Sequence, residues 1–65
     1  MDRGPMVRLT TAGSAFEARV LAARLGADGV PVELRGASLD NVYPVPGPVE
    51  VWVPVDDFEL ARDLL

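Results

Sequence analysis

Residues 49–57 read VEVWVPVDD, and the fold turns on how this stretch is read. Val49, Val51 and Val53 alternate with Glu50 and Trp52, the period of a β-strand with one apolar face. Pro54 ends the alternation. The valine face is the core face, because a one-residue slip would expose all three valines together. The only tryptophan of the chain therefore shares a face with a glutamate. A sheet with one covered and one open side is implied, and the role of the open side rests on Trp52.

Reading outward toward the C-terminus, VDDFELARDLL is a helix. Asp56 is its expected N-cap, with Glu59 at N3 to complete a capping box. Val55 and Leu60 are spaced for a hydrophobic staple. Phe58, Ala61, Leu64 and Leu65 form its core stripe. Reading the other way, GASLDNVYPVPGP (36–48) holds three prolines and two glycines and cannot form a regular element. Loops this long are uncommon and often functional. Its apolar members Leu39, Val42, Tyr43 and Val45 form either a binding lobe or a cap on the core.

The first half supplies two more strands and a helix. Residues 1–5 are a loose start. MVRLTT alternates, with Val7 and Leu9 inward and Met6, Arg8 and Thr10 outward. SAFEARVLAARLGADG is a helix capped by Ser14 with Glu17 at N3, and Gly26 and Gly29 offer the stop. Ala15, Ala18, Leu21, Ala22 and Leu25 make the arc that lies on the sheet. Phe16, Val20 and Ala23 make a second apolar arc, so this helix has two neighbours: the sheet, and either the second helix or another chain. VPVELR is the second strand, with Val30, Val32 and Leu34 inward; Pro31 marks it as an edge.

The order is strand, helix, strand, strand, helix. A helix between the first two strands makes a right-handed crossover, and the third strand inserts between them, antiparallel to both. The expected fold is α+β: a single domain over 1–65, with a three-stranded antiparallel sheet and both helices on one face. This is a ferredoxin-like two-layer sandwich lacking its last strand.

Composition narrows the chemistry. With no cysteine and no histidine in 65 residues, disulfides, thiolate nucleophiles, imidazole bases and the usual zinc ligands are excluded. All six basic residues are arginine, so there is no Walker or Schiff-base lysine. The lysine-free, Ala/Val/Arg/Pro-rich usage points to a GC-rich bacterial genome. The net charge of −4 and the lack of a basic stripe argue against nucleic acid. No apolar run approaches the ~20 residues of a membrane span, and a cytoplasmic protein is expected. Asp56, Asp57 and Glu59 are explained by helix capping rather than metal binding. Asp40, Asn41 and Tyr43 lack the spacing of a calcium loop. No catalytic residue, cofactor or metal site is assigned, and an enzyme is not expected.

Two segments resemble a known family. FEARVLAARLGADGVPVEL has an E-A pair at Glu17-Ala18, leucines at Leu21 and Leu25, then Gly29, Val30 and Pro31. VEVWVPVDDFELARDLL follows with Val51, Val53, Pro54, Asp57, Ala61, Arg62, Leu64 and Leu65. Together they resemble a prokaryotic signal-transducing family of unknown function, itself likened in fold to the PII nitrogen regulators. The resemblance runs from about Val7 to Leu65. It implies a compact ferredoxin-like regulatory unit with a partner-binding loop at 36–48. The lysines and glycine motif of PII nucleotide binding are absent, so that activity does not carry over.

The expected function is a non-enzymatic regulatory or protein-interaction module that self-associates or binds a protein partner. The alternative is a small-molecule sensor of PII or ACT-domain style, with a ligand between subunits or under the loop. The candidate interaction residues are Trp52, Arg8, Arg35, Leu39 and Tyr43. Trp52 is expected on the uncovered face with Arg8, Thr10, Glu33, Arg35 and Glu50. There it is either covered by arginine stems or serves as the hot spot of a contact. A fold this small gains from burial at that face, so a homodimer joining sheet faces or edges is favoured.

Overall fold

The computed structural model describes residues 4–36 and 47–65. Strand β1 is Met6–Ala12, helix α1 Ala15–Ala27, strand β2 Glu33–Arg35 and strand β3 Val49–Pro54. A 3-10 turn, Val55–Asp57, leads into helix α2, Phe58–Leu64. The sheet order is β1-β3-β2, and β3 runs antiparallel to both neighbours. The fold is α+β, compatible with a ferredoxin-like fold missing one strand.

The valines of β3 sit at the centre of the core, as the alternation requires. Val49, Val51 and Val53 are fully buried. They pack in one cluster with Ala18 and Leu25 of α1 and Ala61 of α2, so both helices lie on the same face of the sheet. Ala18 and Ala61 are fully buried, and their small side chains let each helix approach the strands closely. Beyond β2, Val30 is buried and Val32 and Leu34 pack against the cluster, while Pro31, Glu33 and Arg35 point outward. Only Glu33–Arg35 is paired in the ladder. β2 is an edge strand, and Pro31 precedes its paired portion.

The start and stop of α1 follow from local chemistry. Ser14 Oγ accepts the Glu17 N–H at 3.2 Å. Glu17 Oε2 in turn accepts the Gly13 N–H at 3.0 Å, one residue earlier than a strict capping box. At the C-terminus, helix geometry continues through Gly26, and the stop belongs to Gly29, whose φ is +82°. Gly29 N–H donates to Gly26 O and Val30 N–H to Leu25 O, both at 3.0 Å. This is a Schellman motif, and Val30 and Leu25, both buried, supply its hydrophobic contact.

Two expectations are corrected. Pairing in β1 shifts between Arg8 and Thr10. Leu9 is the inserted residue of a β-bulge, and it packs toward the core. Thr10 then lies opposite Val51 on the core side, Thr11 opposite Glu50, and buried Ala12 opposite Val49. Thr11, not Thr10, shares the open face. The second correction is the entry to α2. Asp56 is not an N-cap: the chain turns from Pro54 directly into the 3-10 turn, and no side-chain cap hydrogen bond forms there or at Asp57. The first turn is anchored instead by Val55 N–H donating to Pro5 O at 2.8 Å. Val55 and Leu60 are both substantially exposed, so no buried staple closes this end, and Leu65, expected in the core stripe with Phe58, Ala61 and Leu64, is exposed too.

Candidate interaction face of the sheet

The register of the sheet brings the predicted residues Trp52, Arg8 and Arg35 together. Trp52 pairs with Arg8 of β1 on one side and Glu33 of β2 on the other. Glu50 lies two residues from Trp52 on the same face and pairs with Arg35. Arg35 and Trp52 are thus diagonal neighbours, within reach of one long and one aromatic side chain.

The side chains form one continuous chain of contacts across all three strands. The Arg35 guanidinium carbon stacks 3.8 Å from the Trp52 ring centroid. Arg35 also holds Glu33 with two hydrogen bonds, Nε to Oε1 at 3.0 Å and a terminal nitrogen to Oε2 at 3.1 Å. The Trp52 indole N–H donates to Glu50 Oε1 at 3.1 Å, and Arg8 donates to Glu50 Oε2 at 3.3 Å. That arrangement explains why tryptophan and glutamate share a face: Glu50 is the acceptor the indole N–H requires when its ring is half-covered. The arginine cover considered from the sequence is present, with Arg35 as the covering residue.

The electrostatics of the face are local. The hydrogen bond from Arg35 holds the Glu33 carboxyl below the ordinary carboxylate range, and that same bond raises Arg35. Two arginines and two glutamates leave the patch neutral but strongly polar around one aromatic ring. None of these groups pairs a nucleophile with a base. Among the described residues, no group of three or more acidic, histidine or cysteine side chains is placed to hold a metal ion. Nor is any helix of the described residues long and apolar enough to cross a membrane. Leu39 and Tyr43 lie outside the described residues. Thr11 is the member of the face that sequence reasoning missed, because two adjacent threonines give no sign of which is displaced by a bulge.

The helical layer has a different surface. Among the described residues, the large exposed hydrophobics, Phe16, Val20, Val55, Leu60 and Leu65, lie in the helical half of the fold or at its ends. Phe16, Glu17, Val20 and Leu21 line an open hollow of about 280 Å³ on α1. Comparison with family models, curated proteins and solved structures finds no match.

Proposed function

We propose that the protein is a non-enzymatic regulatory module that acts by binding another protein through the open face of its sheet. The observation that supports this reading is the Arg35–Trp52 stack at the middle of an exposed, three-strand face, flanked by Glu33, Glu50 and Arg8. Tryptophan and arginine are the side chains most enriched at the energetic centres of interfaces, and a polar rim is their usual surround. The partner such a face accepts presents an aromatic or aliphatic side chain to the stack and hydrogen-bonding groups to the rim. The regulatory part of the reading rests on the resemblance of residues 16–34 and 49–65 to the signal-transducing family.

The test is quantitative affinity capture from the native cells, comparing wild type with Trp52→Ala and Arg35→Ala. A specific partner retained by wild type and lost by both variants, with all three proteins still folded by circular dichroism, supports the reading. A partner retained equally by all three removes the sheet face as the contact.

A further inference from the structure

The second apolar arc of α1 points directly away from the sheet. At about 100° per residue, Phe16, Val20, Ala23 and Ala27 cluster on the side of the helix opposite Ala18, Leu21 and Leu25. Phe16 is 75% exposed and Val20 43% exposed, and Ala23 and Ala27 are exposed as well. The spacing of these positions, four, three and four residues, is the a/d seam of a coiled coil. Neither the sheet nor a helix beside α1 in the same layer can cover a seam aimed that way.

The charges flanking the seam identify what covers it. Glu17 and Arg24 stand at equivalent positions along one flank, a heptad apart, and Arg19 stands on the other. Two copies of α1 packed antiparallel place Phe16 opposite the partner's Ala27 and Val20 opposite the partner's Ala23, large against small. The same register sets Glu17 beside the partner's Arg24, and symmetry repeats the pair. A parallel arrangement instead sets Arg19 against the partner's Arg24, twice, and like charges there are unfavourable. Both groups are available: Glu17 Oε2 accepts the Gly13 N–H, and neither Glu17 Oε1 nor Arg24 has an ion-pair partner among the described residues.

We propose that the protein self-associates as a two-fold dimer through α1, packed antiparallel on the Phe16–Val20–Ala23–Ala27 seam with paired Glu17–Arg24 contacts. The sequence alone favoured the sheet faces for self-association; the distribution of exposed apolar surface moves the contact to the helices. The dimer layers the sheets outward and leaves both Trp52 faces open, so it stands apart from the partner-binding reading above.

Sedimentation of the full chain across concentration tests the proposal. Wild type dimerises reversibly, and Val20→Glu raises the dissociation constant about a hundredfold by placing a charge in the seam. Glu17→Arg and Arg24→Glu each weaken self-association about tenfold, because each makes both flanking pairs repulsive. Mixing those two variants restores a heterodimer with two attractive pairs and near-wild-type affinity. Circular dichroism confirms that α1 remains folded in each variant, since Glu17 also caps it. A wild type that stays monomeric overturns the proposal and leaves the sheet-face reading intact. So does a mixture no tighter than its components. A dimer abolished by Trp52→Ala but untouched by Val20→Glu also overturns it, and assigns the contact to the sheet.

Discussion

Gly26 and Gly29 are three residues apart and look interchangeable as helix stops, yet the structure gives alanine opposite effects at the two. At Gly29 the backbone sits at φ +82°, and a Cβ there would meet no atom within 4 Å. The cost of Gly29→Ala is therefore backbone strain alone, about 1–2 kcal/mol for an L-residue in the left-handed region. The loss of chain entropy in the unfolded state returns about 0.4–1 kcal/mol. A net destabilisation of about 1 kcal/mol remains. At Gly26 the backbone is helical, and a Cβ again meets nothing within 4 Å. Gly26→Ala gains helix propensity with no offsetting strain, a stabilisation of about 0.5–1 kcal/mol.

For 65 residues the unfolding entropy near the midpoint is about 0.14 kcal/mol per kelvin. Gly29→Ala should lower Tm by about 7 °C and Gly26→Ala should raise it by about 4–7 °C. Both melts are followed by circular dichroism at one protein concentration, because the proposed self-association would make Tm concentration-dependent. Gly29→Asn should fall between wild type and Gly29→Ala, since asparagine tolerates the left-handed region better. Shifts of the same sign at both glycines would refute the Schellman assignment. A fall at Gly26 alone would mean that the helix stops there instead.

The caps of the two helices should also separate. Ser14→Ala loses the bond to Glu17 N–H and should cost about 1 kcal/mol; Asp56→Ala removes no cap bond and should stay within about 0.5 kcal/mol, both read from denaturant melts. Acid should act on the open face through Glu33. Its folded pKa is depressed by Arg35, so its contribution is present above the ordinary carboxylate pKa and is lost as pH falls through the lowered value. Glu33→Gln should flatten that acid-side decline in stability, and an unchanged pH profile would show that the Glu33–Arg35 contact is not maintained in solution.

The core was legible because it rests on alternation and helical spacing that tolerate few alternatives. Val49, Val51 and Val53 on one side of β3, and Ala18 and Leu25 on one arc of α1, admit only one register against each other. Strand order followed from the crossover and from Pro31, which cannot sit in a central ladder. The corrected features depend on energies too small or too evenly matched to mark the sequence. A bulge at Leu9 exchanges Thr10 for Thr11, two residues of identical chemistry, and its gain appears only when Ala12 reaches the core beside Val49. Asp56 is the better cap on paper, because it sets Glu59 at N3. That advantage lapses because the backbone, tied to Pro5 O through Val55 N–H, enters a 3-10 turn, and neither Asp56 nor Asp57 makes a side-chain cap bond there.

The open face shows how far composition carries a site and where geometry must take over. Trp52, Arg8 and Arg35 were all assigned to it from alternation, but a list of residues on one face does not say whether an arginine covers the indole or leaves it to a partner. That depends on the diagonal offset between β2 and β3, which sets Arg35 one pair beyond Trp52 and opposite Glu50. With the ring half-covered and its N–H bonded to Glu50, the sheet face no longer carries the exposed apolar area that a small fold most needs to bury. Among the described residues that area lies on the helices, in Phe16, Val20 and Leu60. Under the two proposals above, the surfaces therefore take different work, each by its chemistry. The apolar helical seam, with opposite charges a heptad apart, suits a copy of itself, while the polar, tryptophan-centred sheet suits a different protein.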